Sequence, residues 1–492
     1  MITFSNVSYS YAGDGKKEVQ NLNLSIRKGE FLVVTGGSGC GKTTITRMIN
    51  GLATKFYEGV LEGTVCIDEN DVDELPLWEI GKTVGSIFQD PRSQFFASLT
   101  EDELAFGCEN YGVDKVTIEE RITDAIDKVR GESLLKREIY PMSSGEKQKL
   151  AIASTYAVSP VIYVFDEPSA NLDMASVLRL QELMRLLKNK GHTIVVAEHR
   201  LYYLTELADR FLFMREGRIV QELLPKDMQT LSTEENNKMG LRLGNLSDCI
   251  GKPPVMHSGK KPSLQVQQVS FFYGKNQIFS NLSFEAWPGE IVALVGQNGV
   301  GKSTLGQILC GLLKEKSGTI LYNGKKMPKN RRRQVSYYVM QNTDCQLFGE
   351  DVSEELKLNQ KRMDEEEIET VLKRYALWEY RERHPATLSG GQKQRLTLAV
   401  ADVINPEILI LDEPTSGLDG ENMRNISTHL IELARQGKTL LVITHDYEFA
   451  LSTCDRVLMF GEGGCHGNFP VHGNEKTLLA LMQEEDEWRN LQ

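Results

Sequence analysis

The chain is written twice, and no other property of its 492 residues narrows the possible folds so far. GGSGCGKT at 36–43 returns as GQNGVGKS at 296–303, MSSGEKQK at 142–149 as LSGGQKQR at 388–395, and VFDEPSANLD ending at Asp173 as ILDEPTSGLD ending at Asp419. The strand-like alternation Ile2, Phe4, Val7, Tyr9, Tyr11 returns as Leu264, Val266, Val269, Phe271, Tyr273, and AEHR at 197–200 is answered by THD at 444–446. The offset between copies falls from 262 at Tyr11/Tyr273 to 260 at Lys42/Lys302, 252 at Gln89/Gln341 and 246 at Ser143/Ser389, and then holds through His199/His445. Copy two is therefore shorter between its glycine loop and its SGGQ motif. The end of that stretch keeps helical spacing in both copies (Ile118, Ile122, Ile126, Val129; Ile368, Val371, Leu372, Tyr375), which predicts a helical subdomain of variable length. The boundaries expected are a first domain at 1–222, a polar, Pro/Gly-punctuated linker at 223–262, a second domain at 263–470, and a tail at 471–492. In the tail, Leu478, Leu479 and Met482 predict a docking helix.

Charge and hydropathy exclude several classes. A net charge of −12 opposes broad nucleic-acid binding, and the one basic run, Arg331 to Arg333, reads as a solvated entry to a strand. Apolar runs such as Val161–Phe165 and Ile408–Leu411 are far below the roughly 18 residues that span a bilayer. The start MITFSN has no export signal, and eight scattered Cys without a CxxC fit reduced thiols, so a cytoplasmic address is expected.

Each glycine loop follows an apolar strand and opens a helix, the context that GxxxxGK[ST] requires. Glycines let consecutive N–H groups turn onto phosphate oxygens at a helix N-terminus. The candidate phosphate cradles are Gly36, Gly37, Ser38, Gly39, Cys40, Gly41, Lys42, Thr43 and Thr44, and Gly296, Gln297, Asn298, Gly299, Val300, Gly301, Lys302, Ser303 and Thr304. The lysines suit β- and γ-phosphates and the Thr43 and Ser303 hydroxyls suit Mg²⁺. Two buried-strand patterns end in paired acids. Asp166 and Asp412 suit the Mg²⁺ shell, whereas Glu167 and Glu413 are placed to polarise an attacking water.

Glycine loop, SGGQ-type sequence, DEP and a downstream His, in that order and twice, resemble the nucleotide-binding domains of ABC ATPases. The resemblance implies an α/β fold of two tandem P-loop domains in one chain, a pseudo-dimer, each with a mostly parallel core sheet, an antiparallel β part and a helical subdomain. It implies ATP and Mg²⁺ at two sites, each pairing the glycine loop of one copy with the signature of the other. One site would join Lys42, Gln89, Asp166, Glu167 and His199 to Ser389, Gly390 and Gly391; the other would join Lys302, Gln341, Asp412, Glu413 and His445 to Ser143 and Gly145. Gln89 and Gln341 complete the metal sets, His199 and His445 hold the γ-phosphate geometry, and Tyr11 and Tyr273 fall where the family stacks an aromatic on adenine.

The segments FQDPRSQFFASLTEDELAFG (88–107) and MQNTDCQLFGEDVSEEL (340–356) resemble the energy-coupling factor (ECF) importers of vitamins and transition metals. That resemblance implies a transmembrane coupling subunit and a small substrate-binding membrane subunit as partners, at the cytoplasmic face of the membrane. Phe95, Phe96, Leu99, Leu347, Phe348 and Val352 would floor the partner groove, and Glu101, Asp102, Glu103, Glu350, Asp351, Glu354 and Glu355 would attract a cationic helix. A fused sugar-importer ATPase shares the plan, and so does an ABC-F-type translation factor. The latter is expected to carry a long charged helical linker, whereas this linker is broken by Pro253 and Pro254.

The site built on Lys302 departs from the pattern, because its signature carries Ser144 and Glu146 where the other copy has Gly390 and Gln392. A Cβ where backbone approaches phosphate, and a carboxylate near an anion, both weaken contact. Steady-state ATPase assays are expected to show a larger loss for Glu167→Gln than for Glu413→Gln; equal losses would contradict this asymmetry.

Overall fold

The run FLVVTG forms the strand Phe31–Gly36 with every residue buried, and its alternation sets the layers of the first domain. Phe31 and Val33 join an apolar cluster with Leu150, Phe165 and Met184, while Leu32 and Val34 join another with Phe4, Val7, Ile45 and Met48. A strand apolar on both faces belongs in a parallel sheet covered on both sides. The computed structural model describes residues 2–12, 17–247, 249–253, 255, 259, 261–358 and 363–483, without the Ser144 side chain.

Two compact units emerge, Met1–Leu246 with Asp419–Glu421, and Ser247–Leu418 with Asn422–Gln492. In the first, a six-stranded sheet runs Arg218–Leu223, Arg210–Arg215, Phe31–Gly36, Thr193–Ala197, Ile162–Asp166, Val84–Ile87; only the Arg218–Leu223 edge is antiparallel. A four-stranded antiparallel sheet, Val19–Ile26, Ile2–Tyr11, Gly59–Ile67, Asn70–Asp71, covers one side. The helices Thr100–Asn110, Lys115–Val129 and Ser144–Val158 pack together as the helical part, with Leu104, Ile126 and Ala153 in its core.

The second unit repeats the plan. Its core sheet runs Gly464–Pro470, Arg456–Gly461, Ile291–Gly296, Thr439–Ile443, Ile408–Asp412, Ser336–Val339, and its antiparallel sheet runs Asn276–Ala286, Leu264–Tyr273, Ser317–Tyr322, Lys325–Lys326. In each unit four parallel strands therefore end on the same edge. They deliver the glycine loop, the paired acids, the histidine turn and the glutamine segment to one place.

Residues 223–262 are more structured at their start than their composition suggested. Pro225–Thr230 and Thr233–Met239 are helices. The second is begun by a reciprocal Ser232–Glu235 capping box, and Met228 and Leu241 are buried in the first unit's core. The tail helix Glu475–Gln483 buries Leu478, Leu481 and Met482 in its own unit, and the Tyr447 hydroxyl donates to the Glu475 carbonyl (3.1 Å). Residues 484–492 lie outside the described residues.

Arg332 corrects the reading of 331–333 as a solvated run: it is fully buried. It donates to the carbonyls of Ile308 (2.9 Å) and Met327 (3.0 Å) and pairs with Glu315 (2.6 Å), while Arg331 and Arg333 remain exposed. A guanidinium with fixed planar donors can satisfy several acceptors at once, so burial is tolerable for it.

Candidate functional site

The two glycine loops share one backbone. Gly36, Gly39 and Gly41 have φ of 148°, 72° and 101°, and Gly296, Gly299 and Gly301 have φ of 153°, 85° and 100°. Space as well as torsion demands glycine at the first position. A Cβ on Gly36 would lie 2.2 Å from the Met214 carbonyl oxygen, and one on Gly296 would lie 2.1 Å from that of Phe460. The curl ends at helices Lys42–Ile49 and Lys302–Leu309, whose first residues are the lysines. Lys42 Nζ donates to the carbonyls of Gly36 (3.1 Å) and Gly37 (3.0 Å), with Cys40 Sγ 3.9 Å away. A thiol is a weak acceptor that a phosphate oxygen can replace. Lys302 Nζ makes the same pair of bonds, to Gly296 and Gln297 (both 2.7 Å).

At the ends of the neighbouring strands the acids face the loop. Thr43 Oγ1 donates to Asp166 Oδ1 (3.0 Å), which brings together two oxygen ligands of the kind a hard divalent cation prefers. Among the described residues no group of three or more His, Cys, Asp and Glu is set to hold a metal unaided. Phosphate and water would therefore supply the remaining ligands, a mode that suits Mg²⁺. Burial, reinforced by Glu167, pushes the Asp166 carboxyl up to about 7, against pulls from Thr43, Arg47 and Lys42. Burial would raise Glu167 as well, but His199 and Lys42 overcome it and hold this carboxyl below its ordinary range. The two adjacent acids are thus shifted in opposite directions.

Glu167 is held by three elements. His199 Nε2 lies 3.3 Å from Oε1, Gln89 Nε2 donates to Oε2 (2.7 Å), and the Glu167 N–H donates to the Ala197 carbonyl (2.8 Å). Gln89, expected among the metal ligands, here donates to the Glu167 carboxylate. Glu413 has the matching His445 contact (3.3 Å) and a bond from its N–H to Ile443 (2.9 Å), but Gln341 is exposed and makes no such bond. In the second unit the Tyr338 hydroxyl donates to Asp412 Oδ2 (2.5 Å). Burial raises the Asp412 carboxyl, opposed by Tyr338, Ser303 and Lys302. Tyr11 is half-buried, edge-on to Tyr9 (4.9 Å) and bonded by Arg47 (2.9 Å), while Tyr273 is half exposed.

The signature serines cap the helices Ser144–Val158 and Gly390–Ile404. The carboxylate expected to repel phosphate is otherwise engaged. Glu146 accepts the N–H (2.8 Å) and hydroxyl (2.9 Å) of Ser143 and pairs with Arg137 (2.6 Å). The Ser143 hydroxyl proton is committed to Glu146. Ser389 receives a bond from the Gln392 N–H (3.4 Å) and keeps its own proton. Gly145 and Gly391 are buried, and a Cβ on Gly390 would meet nothing within 4 Å.

A family description, ABC transporter, matches residues 19–170 and 279–416, once in each copy. The chain belongs to that family. Its two fused nucleotide-binding domains make it an ATPase. An ABC transporter ATP-binding protein of Treponema denticola is 40% identical over 481 residues, covering 96% of this chain and 98% of that one. A Bacillus subtilis protein named for HMP/thiamine import is 32% identical over 494 residues, covering 94% and 90%. An archaeal ribosome recycling factor, solved with a ribosomal stalk protein, has a TM-score of 0.67 over 97% of this chain and 92% of its own. At 21% identity that likeness shows the shared ABC fold alone.

Two residues behind the ABC motifs were missed by sequence reasoning. Glu198, 2% exposed, accepts the N–H groups of His199 (2.6 Å), Arg200 (3.1 Å) and Ser169 (3.3 Å) and the Tyr203 hydroxyl (2.8 Å). It fixes the histidine turn. In the second unit Asp446, on the other side of its histidine, accepts from Thr415 (2.9 Å) and from the Phe449 N–H (3.2 Å). The available signal was an acid flanking each histidine, AEHR against THD.

Two measurements follow. Gly390→Ser is expected to leave the melting temperature unchanged, because its Cβ enters open space. It should lower ATPase severalfold; undiminished turnover would clear Ser144 of any blame. Because the folded Asp166 pKa lies above its unfolded value of about 4, the native state retains a proton that the unfolded chain releases between about pH 4 and 7. Stability of Mg²⁺-free protein should therefore fall as pH rises across that window. Asp166→Asn should flatten the fall in denaturant titrations and be the more stable form at about pH 8.

Proposed function

We propose that this ATPase is the energising subunit of an ECF-type importer, seated at the cytoplasmic face of the membrane and driving uptake of a vitamin or transition metal through separate membrane subunits. The observation that carries the proposal is the matched construction of the two glutamine segments. Gln94 accepts the Phe88 N–H (3.4 Å) and donates to the Ser86 carbonyl (3.1 Å); Gln346 accepts the Met340 N–H (3.0 Å) and donates to the Tyr338 carbonyl (2.9 Å). Buried Glu103 accepts the N–H groups of Phe96 (2.9 Å) and Ala97 (2.8 Å), and buried Glu355 those of Phe348 (2.7 Å) and Gly349 (2.6 Å). Both pins hold an aromatic ring out in solvent: Phe96 is 77% exposed and Phe348 76%.

In the first unit the ring borders a groove of about 490 Å³ shared with Trp78, Lys82, Phe106 and Tyr111, which suits an amphipathic helix. Glu103 and Glu355 therefore serve the loop and not a cationic partner, and fully buried Val352 serves the core. Glu101, Asp102, Glu350 and Glu354 stay exposed. The thiamine-import name of the Bacillus subtilis relative supports a vitamin substrate.

In this reading the loop N–H groups and Lys42 or Lys302 neutralise the ATP phosphates, and Mg²⁺, held by Thr43 and Asp166 or Ser303 and Asp412, adds charge neutralisation when bound. Glu167 and Glu413, each braced by its histidine, orient and polarise the attacking water. Gln89 joins the groove-bearing segment to Glu167, so partner position and carboxylate position are coupled in the first unit. Ser389, Gly390 and Gly391, with Ser143 and Gly145, are proposed to complete the two sites.

Phe96→Ser with Phe348→Ser should keep basal ATPase within about twofold, since both rings stand exposed to solvent, while capture of membrane subunits from detergent extracts is lost. Retained capture by the variant would remove the two rings from the partner surface, and capture of ribosomes in place of membrane subunits by the unaltered protein would overturn the importer reading.

A further inference from the structure

We propose that the second unit carries a cationic face that seats the chain on anionic lipid headgroups. Residues 314–333 hold eight basic side chains and one acid, a net +7 in a chain of −12, which leaves −19 elsewhere. The corresponding stretch of the first unit, 58–82, holds eight acids and one lysine. Both stretches build the same elements, an antiparallel hairpin followed by a short helix: Gly59–Ile67, Asn70–Asp71 and Leu77–Thr83 in one, Ser317–Tyr322, Lys325–Lys326 and Lys329–Arg332 in the other. The fold tolerates either sign, so packing does not explain the basic one.

Arg332 gathers the face. Its bonds to Ile308, Met327 and Glu315 tie together the turn before the hairpin, the hairpin exit and the helix, and its pair with Glu315 neutralises the only acid of the stretch. Around it Lys314, Lys316, Lys325, Lys326, Arg331 and Arg333 are exposed, and none of the six makes an ion pair among the described residues. Arg333 Nε donates to the Gly311 carbonyl (3.3 Å), next to Leu312, which is 44% exposed. Cations around an exposed aliphatic side chain suit headgroup phosphates above an acyl boundary. The one aromatic between 311 and 333, Tyr322, is buried, so no stacking platform for nucleic-acid bases exists here.

The inference rests on the membrane placement proposed above, but its test needs no membrane subunit. Full-length protein is sedimented with vesicles of roughly 30% phosphatidylglycerol in phosphatidylcholine and with phosphatidylcholine alone. Anionic vesicles are expected to bind at least about tenfold more protein, with binding lost by about 0.5 M salt. The variant Lys325→Glu, Lys326→Glu, Arg331→Glu, Arg333→Glu should fall to the phosphatidylcholine level with ATPase and melting temperature retained. Equal sedimentation of wild type and variant, or no preference for anionic vesicles, overturns the lipid face and leaves the Phe96 and Phe348 test of the importer untouched. Binding of transfer RNA lost by the same substitutions, with no vesicle binding, overturns it in favour of a nucleic-acid surface.

Discussion

The site depends on burying one strand on both faces. Once Phe31–Gly36 and Ile291–Gly296 are enclosed by apolar layers, neighbouring parallel strands can pair with them only in the register that keeps their own apolar residues inside. Val34 then stands beside Ala197, and Asp166 beside Ala197 from the other side; Leu294 stands beside Ile443, and Ile443 beside Asp412. A slip of one residue would turn the acids away from the lysine. The placement of the acids beside the lysine is thus a by-product of hydrophobic register, and the loops add conformations that glycine permits.

Much of this was legible because repetition marks what chemistry requires. Glycine loops, paired acids and histidines recur with fixed chemical identity, and the alternating and helical periods around them predicted the layers. What escaped was coded by single polar side chains. Glu198 and Asp446 perform a similar buried task from opposite sides of their histidines, so the repeat comparison that exposed the motifs hid them. The helix Thr233–Met239 is declared by a Ser–Glu capping pair in a stretch whose composition reads as linker. Arg332 is indistinguishable from its exposed neighbours until its acceptors are seen. Acids counted as surface charge, Glu103, Glu146 and Glu355, spend that charge on backbone N–H groups or on an arginine.

The two copies differ around a shared core of chemistry. Both keep lysine, acid pair and histidine in matching geometry, but the first ties its glutamine to Glu167 and the second caps Asp412 with a tyrosine. The helix-capping glutamate and the opposed surface charges extend the divergence outward. Duplication preserved the lysine, the acid pair and the histidine and let their surroundings diverge.

Glu167 and Glu413 have φ of 45° and 49°, in the left-handed region that side chains seldom adopt. Glycine would relax that backbone most, and glycine has no carboxylate. Each position therefore sets backbone against side chain: glycine fits the torsion best and carries no acid, aspartate keeps an acid but on a shorter arm, and bulkier residues inherit the awkward backbone.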